Sequence, residues 1–152
     1  MCTKEQLIII NGPTAVGKSR IAVELAKMTG AEIISADSMQ VYRGLDIGTA
    51  KITPQEMDGI PHHLIDILEP DEEFGVLQFK QLATRKISEI RERGNIPVIC
   101  GGTGYYIQAV LYDVDFTEGE EDSKLRMQLE QFAELTFQYS VCVFCFLLLC
   151  KL

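Results

Sequence analysis

A chain of 152 residues, 47% hydrophobic and 24% charged, is sized for one domain with a workable core and composed like a globular, soluble protein. A net charge of −8 excludes a domain that wraps nucleic acid on its own, because such domains carry a basic face.

The start, Met1-Cys2-Thr3-Lys4-Glu5-Gln6, carries an acid and lacks the pattern of a secretory leader. A cytoplasmic protein is expected, with its five cysteines reduced. Leu7 to Ile10 is a short apolar run of the kind that forms a buried strand. Directly after it come Gly12, Pro13, Thr14, Ala15, Val16, Gly17, Lys18 and Ser19, with the spacing of a phosphate-binding loop. Glycine admits the backbone angles and the close approach such a loop needs, so successive amides can face an anion. A helix beginning near Lys18 adds its free N–H groups and its positive dipole end. Lys18 supplies a full charge to the terminal phosphate, and the Ser19 hydroxyl is placed to ligate Mg2+. The expected ligand is a diphosphate or triphosphate. An ordinary glycine-rich turn explains neither Lys18 nor Ser19.

Glu32 to Ser35 reads as a second strand, completing a parallel βαβ unit. Asp37 lies just past it, on the edge that carries the phosphate loop. There its carboxylate can act as a base beside bound phosphate, or merely bond its own backbone; residue type alone leaves both open. Residues 43–70, rich in Gly, Pro and Asp, are expected as loops and short pieces over the sheet. His62 and His63 are adjacent and lack an acidic partner at ligand spacing, so they read as loop residues that shape the site rather than as metal ligands.

Phe79, Leu82, Ala83, Ile87 and Ile90 recur at three- and four-residue steps, predicting a helix over 74–93 that Gly94 stops. Ile96 to Cys100 gives another strand, followed by Gly101, Gly102, Thr103 and Gly104 and a helix over 105–111. Two glycine-rich turns thus sit at carboxyl ends of strands, where open α/β sheets bind ligands. The Thr103 hydroxyl either reaches the phosphate or caps the next helix. Cys142 and Cys145 form a C-x-x-C pair without a second pair or a nearby His, which is too few ligands for structural zinc. The run Val141 to Cys150 is uncharged and about half the length a bilayer span requires.

The phosphate loop together with Asp37-Ser38-Met39-Gln40-Val41-Tyr42, Asp46-Ile47-Gly48-Thr49-Ala50-Lys51, Pro61-His62-His63-Leu64-Ile65-Asp66 and Gly101-Gly102-Thr103-Gly104-Tyr105-Tyr106 resembles the tRNA dimethylallyltransferase family over roughly residues 6–134. The resemblance implies an α/β fold, a P-loop NTPase-like parallel sheet flanked by helices and incomplete at its C-terminus. It implies a prenyl-diphosphate-binding core over 1–134 and an apolar tail over 135–152 that matches no family motif and resembles an out-of-frame end. It further implies that the loop, with Mg2+, holds dimethylallyl diphosphate, and that the N6 amine of the adenosine beside the tRNA anticodon attacks the allylic carbon. Asp37 would bond that amine as general base, and Thr103 would bond the bridging oxygen of the leaving diphosphate. Asp37, Ser38, Met39, Gln40, Thr103 and Arg126 would contact tRNA.

Members of that family are about twice as long, and their second half adds basic tRNA-binding elements, which reconciles an acidic core with an RNA substrate. A monomer without membrane attachment is expected. The rival readings are a small-molecule kinase on the same fold, a prenyltransferase for free adenine nucleotides, and an inactive fragment that binds diphosphate at most.

Overall fold

The computed structural model describes residues 6–114. They form β1 (Ile8–Asn11), α1 (Lys18–Thr29), β2 (Glu32–Ser35), α2 (Pro54–Met57), β3 (His62–His63), α3 (Val76–Glu92), β4 (Pro97–Gly101) and α4 (Gly104–Leu111). The four strands make one sheet in the order β1-β4-β2-β3, and every pairing is parallel. Ile8 to Asn11 lie opposite Val98 to Gly101, and Glu32 to Ser35 opposite Pro97 to Cys100. The α/β reading therefore holds: a parallel sheet with α1 packed on one face and α3 and α4 on the other.

Because side chains alternate across a strand, the sheet feeds two cores. On one face Ile33, Val98 and Cys100 pack with Ala22, Val23 and Ala26 of α1 and with Ile52. On the other, Ile34 and Ile99 pack with Phe79, Ala83, Ile87 and Ile90 of α3 and with Tyr106 and Ile107 of α4. The three- and four-residue spacing read along 74–93 is this buried stripe. Phe79 and Tyr106 stack with ring centroids 4.6 Å apart, joining α3 to α4.

Helix ends follow local chemistry. Gly30, at φ +69°, closes α1 with its N–H on the Ala26 carbonyl at 2.9 Å. Gly94, at φ +80°, turns the chain out of α3 as expected, although α3 begins at Val76 rather than Phe74. Thr53 and Glu56 form a reciprocal cap around Pro54 at the start of α2.

One expectation is corrected here. His62 and His63 are not loop residues; they form β3, the short edge strand, with Ile33 and Ile34 of β2 opposite them. His63 consequently meets Glu32, the one charged residue of β2, at Nε2–Oε2 2.6 Å. Glu32 is 5% exposed and also accepts from Arg93 at 3.0 and 2.7 Å and from Asn95 at 2.9 Å. The Arg93 guanidinium, opposed by burial and assisted by Asn95 and His63, lowers the Glu32 carboxyl from its ordinary 4.5 to about 2. A folded-state value below the unfolded one means that this contribution is whole above about pH 4.5 and fades as the pH falls toward 2. Glu32→Gln is expected to cost about 2 to 3 kcal/mol at neutral pH, toward the low end for a broken buried pair because Arg93 is half exposed. Urea unfolding at several pH values checks this: the gap between wild type and variant should narrow in acid, and a gap independent of pH would refute it.

Candidate active site

Three loops leave the carboxyl ends of β1, β2 and β4 side by side. The Ala36 amide donates to the Cys100 carbonyl at 2.8 Å, and the Ala36 carbonyl accepts from the Thr103 amide at 3.1 Å, so the turn after β2 is sewn to the turn after β4. Gly101 permits this closeness, since a Cβ built there would sit 2.1 Å from the Ala36 carbonyl oxygen. A Cβ on Gly102 would lie 3.6 Å from the Gly12 carbonyl oxygen, which brings the first loop against the third.

In the first loop Gly17 takes φ +85° and Ala15 takes φ +65°. Gly17 thus meets the expected need for a left-handed residue at the mouth of α1, while alanine, which lacks glycine's freedom, holds the second such position. Gly12 differs from expectation: a Cβ there would make ordinary contacts at 3.7 Å with Lys18 and Val16, so the fold itself does not demand glycine at this position. The Lys18 ammonium donates to the Pro13 carbonyl at 2.6 Å and so lies over the loop. The first turn of α1 contains no acid, leaving its dipole end uncompensated by side chains.

The second loop is organised by Asp37. Its Oδ1 accepts from the amides of Met39 at 2.9 Å and Gln40 at 3.3 Å, the backbone-bonding role that residue type left open. That role occupies one carboxylate oxygen, and the side chain still lines the cleft described below. Thr103 stands at the N-cap of α4 but makes no side-chain cap bond. Its hydroxyl oxygen instead accepts from the Ser38 amide at 3.2 Å, which leaves the hydroxyl proton available to another acceptor. Gln40 is held between the Ser35 hydroxyl and the Thr49 carbonyl, both at 3.4 Å.

A strap over residues 43–68 covers the same edge. Lys51 was no candidate in the sequence, yet it anchors the strap: its ammonium, with the side chain 4% exposed, donates to Asp66 at 2.6 Å, Asp46 at 2.7 Å and the Tyr42 carbonyl at 2.7 Å. Burial works to lower its pKa, but the two carboxylates prevail and raise it, so Lys51 stays charged. The available signal was that Lys51 is the one lysine or arginine between Asp46 and Asp66. The Arg43 amide reaches the Leu68 carbonyl at 2.9 Å, closing the strap at its base.

These elements enclose a cleft of about 340 Å³. Thr14, Ala15, Gly17, Lys18 and Ser19 line it from the first loop, Asp37 and Gln40 from the second, and Gly101 and Gly102 from the third. Ala22, Ile33, Ile52, Cys100 and the partly buried Ile65 line it as well, and all five belong to or pack on the α1-side core. His62 reaches it from β3, with burial lowering its pKa below 6.5 and so keeping the ring neutral at pH 7. Burial pushes the Cys100 thiol up despite Lys18 nearby, so it too is neutral there.

Among the described residues no three His, Cys, Asp or Glu side chains cluster as a metal cage. The cleft offers instead the Ser19 hydroxyl and the Asp37 carboxylate, hard oxygen donors suited to an ion that shares its shell with phosphate oxygens and water. Of the expected site residues, Val16 is 55% exposed and lies outside the cleft, Met39 is 47% exposed, and Ser38 contributes its backbone. Arg126, the Cys142 and Cys145 pair, the boundary at 134 and the tail over 135–152 lie outside the described residues. No described helix is long and apolar enough to cross a membrane.

The profile of the family described as IPP transferase matches residues 40–141. The chain is 58% identical over 130 residues to the tRNA dimethylallyltransferase of Lachnoclostridium phytofermentans and 56% identical over 132 residues to that of Bacillus subtilis. It spans 42% of the length of each, with 86% and 87% of its own length matched. Among solved structures, the full-length tRNA isopentenylpyrophosphate transferase of Bacillus halodurans superposes with a TM-score of 0.75 at 54% identity, covering 91% of this chain and 45% of that one. A eukaryotic dimethylallyltransferase acting on tRNA gives 0.70 at 38% identity, covering 74% of this chain and 28% of that one.

Proposed function

The chain belongs to the IPP transferase family, and from that premise we propose that it carries the prenyl-transfer centre for modification of tRNA. In this reading residues 1–134 are the core. The donor is dimethylallyl diphosphate, and the acceptor is the N6 amine of the adenosine beside the anticodon. The observation that carries the proposal is the convergence of Lys18, Ser19, Asp37 and Gln40 on one cleft, with Thr103, next in sequence to the lining residue Gly102, tied through its hydroxyl to the Ser38 amide.

The loop amides, the amino end of α1 and Lys18 receive the diphosphate and stabilise it as negative charge grows on the departing oxygen. The Thr103 proton, left free by the bond from Ser38, is donated to the bridging oxygen. A bond forms between N6 and the allylic carbon while the carbon–oxygen bond breaks, and the amine proton passes to the second oxygen of Asp37. Neutral adenine is a weak nucleophile, so holding it in line through Gln40 and the Asp37 turn supplies much of the acceleration. The base must leave its stack to enter the cleft, as other base-modifying enzymes require. Ser19 with the diphosphate oxygens would hold Mg2+, which when bound neutralises charge on the leaving group. A tRNA substrate supports a cytoplasmic location for this reaction.

The test incubates the chain with Mg2+, labelled dimethylallyl diphosphate and an anticodon stem-loop bearing the target adenosine. Label should pass to the RNA, and Thr103→Val should reduce the rate about 10²- to 10³-fold, the usual effect of removing one leaving-group donor. Transfer to free AMP in preference to the stem-loop, or phosphoryl transfer from ATP, would replace this reading.

A further inference from the structure

Gln40 is held at both ends by the strap. Its carbonyl accepts from the Asp66 amide at 3.1 Å, and its side-chain nitrogen donates to the Thr49 carbonyl at 3.4 Å. A carbonyl can only accept, so Thr49 also fixes which end of the Gln40 side-chain amide is the donor. Both contacts lead to one ammonium. Thr49 lies in the turn that the Lys51 amide closes on the Asp46 carbonyl at 3.1 Å, and the Lys51 ammonium joins the Asp46 and Asp66 carboxylates to the Tyr42 carbonyl. None of these three partners belongs to the phosphate loop or to the turn after β4.

Stability alone does not account for this arrangement. The Lys51 side chain is 4% exposed while those of Asp46 and Asp66 remain 65% and 49% exposed, so the ammonium gives up its water for carboxylates that keep much of theirs. Such a pair returns little energy, and what it secures is a single geometry. We infer that Lys51 is a positioning residue for the acceptor: it sets Gln40, and with Gln40 the turn that carries Asp37, in the place that receives the base to be modified, and it does not act on the diphosphate. The inference rests on the prenyl-transfer reading above. The two substrates ask different things of the cleft. A diphosphate is gripped by charge and by the amides of the first loop, whereas a neutral base is held by directional hydrogen bonds, which fail when the amide that makes them moves by about an ångström. Buried as it is, Lys51 touches neither substrate.

The experiment uses the full 152-residue chain with Mg2+ and two readouts: equilibrium binding of inorganic diphosphate, and prenyl transfer at saturating dimethylallyl diphosphate over a range of anticodon stem-loop concentrations. Lys51→Ala should raise the stem-loop KM about tenfold or more and lower kcat/KM about 10²-fold, with the diphosphate Kd unchanged. Propylammonium replaces the atoms from Cγ to Nζ that Lys51→Ala removes, so adding it should restore the stem-loop KM. Propanol, uncharged and of the same length, should not. A merely structural loss would move both readouts together and would not distinguish the two additives. Lys51→Met keeps most of the stem without the charge and should show the same split; it decides the question if Lys51→Ala does not fold. Lys86→Met, at an ion pair on α3, should change neither readout. Loss of diphosphate binding in both Lys51 variants, an unmoved stem-loop KM, or rescue by propylammonium no better than by propanol overturns the inference. A wild type that transfers no prenyl group overturns the prenyl-transfer reading itself, and the inference with it.

Discussion

Gly101→Ala is expected to yield no cooperatively folded protein. The added Cβ would stand 2.1, 2.4 and 2.8 Å from the carbonyl oxygen, carbonyl carbon and Cα of Ala36, all backbone atoms. That backbone cannot step aside, because its amide is bonded to the Cys100 carbonyl and its carbonyl to the Thr103 amide. Relieving the clash separates β2 from β4 at the centre of the sheet, exposing Ile34 and Ile99, both fully buried. A cost above about 4 to 5 kcal/mol is in the range of the most damaging single substitutions, and it approaches the whole stability of an ordinary domain. Soluble yield and thermal unfolding by circular dichroism measure it. Gly12→Ala is the contrast, since its Cβ meets side-chain atoms only at 3.7 Å and should leave the melt within a few degrees of wild type. A normal melt for Gly101→Ala would mean that the turn after β4 does not approach Ala36 as described.

The second large effect concerns the reaction. If the proposed prenyl transfer is this chain's reaction, Asp37→Asn is expected to lower its rate about 10²- to 10⁴-fold, the range for losing a general base, while diphosphate binding persists. Asparagine keeps a side-chain oxygen able to accept from the Met39 and Gln40 amides, so the turn survives and only the basicity is removed. Asp37→Ala removes the turn as well and should add about 1 kcal/mol of instability, the usual cost of leaving such amides uncapped. Comparing the two separates the roles. If Asp37→Asn transfers the prenyl group at the wild-type rate while Asp37→Ala does not, the residue is a brace for the turn and the base lies elsewhere.

Features that depend on neighbours in sequence were legible; those that depend on distant partners were not. The spacing from Gly12 to Ser19 is local, and so is the stripe from Phe79 to Ile90, and both fold as the spacing implies. The need for glycine was read correctly at Gly17, where the angle is a local matter, but the purpose of Gly101 is its approach to a residue in another strand's turn. Residue type leaves Thr103 open between capping and phosphate contact, and the Ser38 amide, 65 residues away in sequence, makes it a tie between loops. Nothing local marks Glu32 as a buried ion-pair centre, because its partners, His63, Arg93 and Asn95, come from 31 or more residues further on. The strap read as loop because its order comes from one lysine and two aspartates rather than from any periodicity.

Because one ammonium holds Tyr42, Asp46 and Asp66 together, the strap has no independently yielding parts. Loosening any of its anchors loosens Thr49, which steadies Gln40, together with Ile52 and Ile65, which border the cleft. Variation at this segment is accordingly coupled: a change at one anchor reaches every residue that the strap holds at the cleft, so a second change within the strap is what restores the first.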